Sequence, residues 1–232
     1  MKAALLPLSI ALALTWGASG SALAQSTTLK LGGLWLDPRA STSTLSGPFT
    51  PVDALSLKFP SQTTLYLSAA RDINEHWEAE LALSAPTLDM TLVVLKPAAL
   101  SGSTAALDGA VVAKVRQVSP TLFVNYKLGD SSNPFRPFVG LGVNYTFFDN
   151  ADSTGAYDSV NGGPTSLKLD DSLGLALQLG VTAKLGGPWS ITGSWSTAQV
   201  KTKLTTNTLG LQRTMDITFR PSVFIISAGY SF

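Results

Sequence analysis

Residues 134–150 read PFRPFVGLGVNYTFFDN. Val139, Leu141, Val143, Tyr145 and Phe147 take one set of alternate positions, and Phe138, Gly140, Gly142, Asn144 and Thr146 take the other. Successive side chains of a strand point to opposite faces, so this period of two gives a strand with one apolar side and one small, partly polar side. The apolar side must be covered by another layer of protein or by lipid. Composition favours lipid: mean hydropathy is positive at +0.24 and charged residues make up 13% of the chain, about half the usual share. After residue 24 no run approaches the length of a spanning helix, roughly 18 apolar residues or more. A sheet closed on itself is the remaining way to satisfy every backbone group inside a bilayer.

The N-terminus is expected to carry an export signal. Lys2 supplies a positive charge, AALLPLSIALALTW an apolar stretch, and Ala22-Leu23-Ala24 a small-residue cleavage site before Gln25. This reads as a signal peptide over residues 1–24 and a single domain over 25–232. Removing Lys2 leaves 15 basic and 15 acidic residues, a balance with no basic block to attract nucleic acid. The absence of cysteine excludes a disulfide scaffold, thiolate metal sites and a lipid anchor through cysteine.

Eight strands with period two follow: 27–36, 63–70, 77–83, 120–128, 134–150, 173–184, 189–201 and 217–232. Three connections are short and built from Asp, Asn, Gly and Pro: RDINEH, GDSSNPF and LGGP. Four are long and rich in Ser, Thr, Gly and Asp: about 37–62, 84–119, 149–166 and 202–216. Short and long alternate, as in barrels with short periplasmic turns and longer outer loops. The expected fold is all-β: an eight-stranded, antiparallel, up-and-down transmembrane barrel in the bacterial outer membrane, in contact with its lipid. The final strand ends with Tyr230 and Phe232 on its apolar face, which resembles the signal by which the barrel-assembly machinery recognises its substrates.

The segments SPTLFVNYKLGD, FRPFVGLGVNYTFFDN, SLKLDDSLGLALQLGV and ISAGYSF, in this order, resemble the corresponding segments of the OmpW family of small outer-membrane proteins. The resemblance is dense over about 118–232 and weaker before it, in TTLYLSAA and WEAELALSAP. It implies an eight-stranded barrel with a hydrophobic lumen and passive movement of small hydrophobic molecules across the outer membrane. The chain departs from the family at Ser119-Pro120, Asp171-Ser172-Leu173 and Arg220-Pro221-Ser222, where members usually carry a double proline, a Trp after the Asp, and an Asp-Pro-Trp-like segment.

Parity alone sorts the inward positions. Lys30, Glu78, Glu80, Lys127 and Lys184 fall on the lumenal side near the periplasmic ends of their strands, as a charged layer. Leu34, Leu36, Tyr66, Phe123, Val223 and Ile225 share that parity, most of them further out, as an apolar lining. Two readings follow. The apolar side chains fill a narrow barrel above a charged plug, or they line a pocket open to the outer loops and sealed below. In the second, the small inward residues such as Gly140 and Gly142 leave free space. Pro86 and Pro120, at the outer ends of strands three and four, lack an N–H and mark a candidate lateral gap through the wall.

The expected function is passive passage of small hydrophobic solutes, with lateral release through the wall. The alternative is a surface barrel whose outer loops bind a phage, toxin or host molecule. A soluble carrier has no use for a second apolar face. An enzyme needs a nucleophile beside a base, and His76, the sole histidine, sits in a periplasmic turn. No cofactor or metal is expected: His76 has no second imidazole, and Asp170-Asp171 reads as a solvated strand end. Trp35, Trp77, Trp189, Tyr126 and Tyr145 are candidate girdle aromatics.

Overall fold

The computed structural model describes residues 26–232, so the expected signal segment at 1–24 lies outside the described residues. Fifteen strands follow in chain order: β1 (Thr27–Asp37), β2 (Ala40–Thr42), β3 (Leu55–Lys58), β4 (Gln62–Asp72), β5 (Trp77–Ser84), β6 (Thr87–Val94), β7 (Val111–Val118) and β8 (Thr121–Lys127). They continue with β9 (Phe135–Ser153), β10 (Thr165–Leu169), β11 (Ser172–Gly186), β12 (Trp189–Ala198), β13 (Val200–Thr208), β14 (Leu211–Phe219) and β15 (Ser222–Ser231). Two short helices, α1 (Gly102–Ala105) and α2 (Gly155–Asn161), lie between strands.

Eight of the strands close a ring in the order β1, β4, β5, β8, β9, β11, β12, β15, every neighbour antiparallel. Outward positions carry Leu31, Leu65, Leu141, Leu175 and Ile226, all exposed, as the apolar face of a membrane barrel must be. Turn chemistry fixes the periplasmic end. Asn74 Oδ1 accepts from the N–H groups of both His76 and Trp77 at 2.9 Å, closing the β4–β5 turn on itself. In the β11–β12 turn Gly186 and Gly187 take φ of 107 and 56, conformations that a side chain resists.

The four long connections are not open loops, as the sequence led us to expect. They hold β2, β3, β6, β7, β10, β13 and β14, which together with the outer part of β9 extend the wall beyond the membrane ring. The seventh and eighth strands of the sequence reading are therefore each divided, at Gln199 and at Arg220-Pro221. Register passes through most of these breaks unchanged: Ala82↔Thr121 leads to Thr87↔Arg116, Asp37↔Ser222 to Ala40↔Phe219, and Ser196↔Val223 to Val200↔Phe219.

One seam behaves differently. The β4–β5 ladder ends at Tyr66↔Ser84, and the next pair up the same wall is Lys58↔Thr91 of β3 and β6, one residue out of register. Among the described residues, 59–65 form no ladder with 85–90. Unpaired ladder groups on both sides leave this part of the wall thinly stitched, as it also is between β2 and β3, which share no ladder pair, and between β9 and β10, which share only Ser166↔Asp152.

Candidate functional site

At the level of the membrane ring nearer the periplasm, the lumen is crossed by a layer of charge. Glu80 is 1% exposed. Its carboxylate accepts from Lys30 Nζ at 3.1 Å, Tyr66 O–H at 3.0 Å, Ser68 O–H at 2.6 Å, Asn125 Nδ2 at 2.9 Å and Gln178 Nε2 at 3.3 Å. Lys30 also reaches Glu78 at 3.5 Å, and Glu78 accepts from Asn125 at 3.1 Å. Lys127 pairs with Asp72 and, at 3.7 Å, with Glu78. A buried charge is tolerable when its lone pairs and protons are taken up in this way.

Four of the five residues expected in this layer thus meet. Lys184 does not: it is exposed at the periplasmic rim, where its ammonium donates to the Ser131 carbonyl. Parity gives the side of a strand and not the height along it. Asp72, Asn125 and Gln178 are members that the sequence reading left out; Asn125 and Gln178 have lumenal parity, but nothing in a lone amide says that it will face a carboxylate.

The inward glycines do not leave space. A Cβ on Gly140 would lie 2.0 Å from Asn125 Oδ1, and one on Gly142 would lie 2.7 Å from Phe123 Cδ1. Both volumes are used by side chains of β8. Gly140 is what lets the Asn125 carboxamide lie flat against the wall and reach Glu80.

Above the charged layer lies a cavity of about 70 Å³. Leu34, Leu36, Tyr66, Phe123, Val223 and Ile225, the six residues of the expected apolar lining, all border it. It does not open to the outer loops. Leu88, Met90, Leu204, Ile217 and Phe219 are buried over it and fill the extended part of the barrel, with a residual void of only about 20 Å³. Tyr157 of α2 packs into this outer core, and burial raises the pKa of its phenol above the ordinary value. Below the charged layer a vestibule of about 500 Å³ opens at the periplasmic end among Lys30, Glu78, Lys127, Arg136 and Lys184.

The prolines do not mark one shared gap. Gln117 N donates to Pro86 O at 2.9 Å and Ser119 N to Ser84 O at 3.1 Å, so the seam toward β7 and β8 stays closed. Tyr145 N donates to Pro120 O at 3.0 Å on the next seam round. Each proline removes one donor, and the two losses fall on different ladders. Pro86 nevertheless borders the cavity, together with Ser84 and with Leu83, whose side chain is exposed on the outer face. These three flank the unstitched stretch above Tyr66↔Ser84.

Aromatic side chains ring both ends of the apolar belt. Trp77 packs edge-on against Tyr126, and Trp189 against Tyr230, at ring separations of 5.0 Å on the periplasmic side. Phe232 lies beside Tyr230 at 6.4 Å. Trp35 and Phe224 meet at 5.7 Å on the outer side, and Tyr145 donates to Asp171 at 2.6 Å. His76 stacks on Tyr126 at 5.7 Å and its Nδ1 lies 3.2 Å from the Lys127 carbonyl, a turn contact.

The OmpW family model matches residues 37–232. Outer membrane protein W of Vibrio cholerae serotype O1 is 37% identical over 123 residues, which is 52% of this chain and 55% of that protein. Its counterpart in Escherichia coli K12 is 36% identical over 122 residues, 52% of this chain and 56% of the other. The chain spans about half the length of the curated relatives it matches. The crystal structure of the outer membrane protein OprG from Pseudomonas aeruginosa superimposes with a TM-score of 0.77 at 26% identity, covering 90% of this chain and 96% of that one. A closed eight-stranded ring, an apolar outer face and this match over most of the sequence lead to one conclusion: the chain belongs to the OmpW family of bacterial outer-membrane barrels.

Proposed function

We propose that this barrel is a passive, non-enzymatic route for small hydrophobic molecules across the outer membrane, releasing them sideways through its wall. The observation that carries the reading is the apolar cavity lying beside the unpaired stretch between β4 and β6. The charged layer beneath opposes passage of an apolar solute into the periplasm, since an uncharged guest offers nothing in exchange for the bonds it would break. The packed outer core closes the other end. A side exit through a seam without ladder bonds avoids both barriers and delivers the solute into hydrocarbon.

At about 70 Å³ the cavity is closed to cargo; an engineered apolar cavity that takes up benzene measures about 150 Å³. Passage therefore requires the outer core to yield for entry and the wall to part at this seam for release. Continuing the β4–β5 register would bring Thr63 opposite Thr87, and both are exposed. The chain has no cysteine, so Thr63→Cys/Thr87→Cys joined by a cleavable thiol crosslinker locks the seam specifically. Uptake of hydrophobic and polar solutes is measured in cells lacking the protein and in cells with it restored. The expected result is faster hydrophobic uptake on restoration, lost on crosslinking and regained on cleavage. Equal uptake of both solute classes with and without the protein would overturn the transport reading.

A second reading has one observation in its favour. Phe49, Val52 and Leu209 are strongly exposed on the outer connections, where a barrel that binds a phage, toxin or host partner would present its contact residues. It predicts loss of partner binding on Phe49→Ser/Leu209→Ser with uptake unchanged.

A further inference from the structure

The wall formed by β11, β12, β15 and β1 carries a feature that the lumen does not explain. On its membrane face Leu179, Val181, Gly193, Trp195, Phe224 and Ile226 outline a shallow groove of about 540 Å³. Its floor is low because Gly193 points outward without a side chain; a Cβ there would meet nothing within 4 Å. The outer end of the groove is set by Trp195 and Phe224, which share one level across the β12–β15 ladder, with Trp35 next to them on β1. Trp195 is held in place by its indole N–H, which donates to Ser222 Oγ at 2.7 Å.

Four residues further out, beyond the outer ends of β1 and β15, the chemistry changes to cationic. Arg39, with φ of 43, and Arg220 lie in the strand breaks between the paired positions Asp37↔Ser222 and Ala40↔Phe219, and so stand at one level on neighbouring segments of the wall. Lys201 of β13 pairs with Thr218, two residues beyond Arg220. All three side chains are exposed. Arg39 shares its guanidinium with Asp37 at 3.2 Å, whereas Arg220 and Lys201 form no ion pair among the described residues. The other acids on this wall are Asp216, which faces Lys203 at 3.9 Å, and Asp170 and Asp171 between β10 and β11; the N–H of Asp170 donates to the Lys203 carbonyl, and the Asp171 carboxylate accepts from Tyr145. Like charges held at one level on neighbouring strands repel. A guanidinium pair is also the side-chain chemistry best matched to phosphate oxygens.

We propose that this wall is a binding site for a phosphorylated, acylated glycolipid of the outer leaflet, lipid A, with a phosphate between Arg39 and Arg220 and one acyl chain along the groove over Gly193. The cations stand at the end of the barrel from which the long connections project, which is the outer face. That side of the outer membrane is where phosphorylated glycolipid is found. Charge and groove are both required: the arginines select the phosphate, and the groove gives one chain a fixed path beside Trp195.

The test uses the full protein in detergent, titrated with lipid A, with dephosphorylated lipid A and with phosphatidylglycerol, bound lipid being counted by native mass spectrometry. Variants are Arg39→Gln/Arg220→Gln, Gly193→Leu, and the control Lys96→Gln/Lys114→Gln on the outer connections, each first checked for an intact barrel by circular dichroism. Lipid A is expected to bind most tightly. The arginine double variant and Gly193→Leu should each weaken it tenfold or more, the control should not, and removal of the phosphates should have the effect of the double variant. Unchanged affinity in the arginine variant, unchanged affinity in Gly193→Leu, or phosphatidylglycerol binding as tightly as lipid A would overturn the assignment.

Discussion

Glu80 shows how one residue ties five strands together. Its carboxylate collects donors from β1, β4, β8 and β11 while itself projecting from β5. Removing one member of a buried pair leaves the other charged and unsolvated, at a cost of about 3–5 kcal/mol. Glu80→Ala should therefore lower stability by about that amount, measured by urea unfolding in micelles. Lys30→Met/Glu80→Leu should be less damaging than the two single substitutions added together, because no ion is then stranded. Additive losses would mean that Lys30 is held by Glu78 alone. Much of this layer was legible beforehand, because Lys30, Glu78 and Glu80 have lumenal parity in strands that are otherwise apolar. Height was not legible, so Lys184 was placed too deep. The role of Gly140 was hidden for a related reason: whether an absent side chain is a void or is filled depends on Asn125 in another strand.

At the scale of elements, the strands in the membrane ring announce themselves because lipid demands an unbroken apolar face. The outer strands face water, so their outward positions are free to be Thr, Asp or Lys, as at Thr87, Asp89 and Thr91 of β6. Only the inward set, Leu88, Met90 and Leu92, stays apolar, which weakens the alternation and makes strand look like loop. At the other end the turns are joined to one another. Ser131 N donates to the Glu75 carboxylate at 2.9 Å, and Arg136 Nη2 donates to the carbonyls of Glu75 at 2.8 Å and Gly129 at 2.9 Å. The amide of Ser131 holds the Glu75 carboxyl below its ordinary pKa. A lowered folded pKa means that the link is fully present above the ordinary glutamate pKa and is lost as pH falls through the folded value. Protection of the Ser131 amide from hydrogen exchange should accordingly drop on acidification, after correction for intrinsic rates. In Glu75→Ala it should already be low at neutral pH. A Ser131 amide equally protected on both sides of that transition would show that the turn holds without the carboxylate.

The whole molecule is a tall barrel closed at two levels and thinly stitched beside the cavity that lies between them. The charged layer below and the outer core above are both densely bonded or packed, so neither can part without exposing many groups at once. The stretch between β4 and β6 has no ladder to lose, and local opening is least opposed where few backbone bonds must break. Continuing the β4–β5 register past its last pair at Tyr66↔Ser84 puts Thr63 opposite Thr87 across this stretch. Leu204 and Met215, by contrast, are partners within the continuous β13–β14 ladder. In lipid or micelles the amides of Thr63 and Thr87 should exchange at least tenfold faster than those of Leu204 and Met215. Crosslinking Thr63→Cys to Thr87→Cys should slow exchange in the flanking residues Leu65 and Ala85 and leave the β13–β14 ladder as it was. If Thr63 and Thr87 are as protected as Leu204 and Met215, the wall does not part there, and a solute in the cavity would have to leave through the outer core or the charged layer instead.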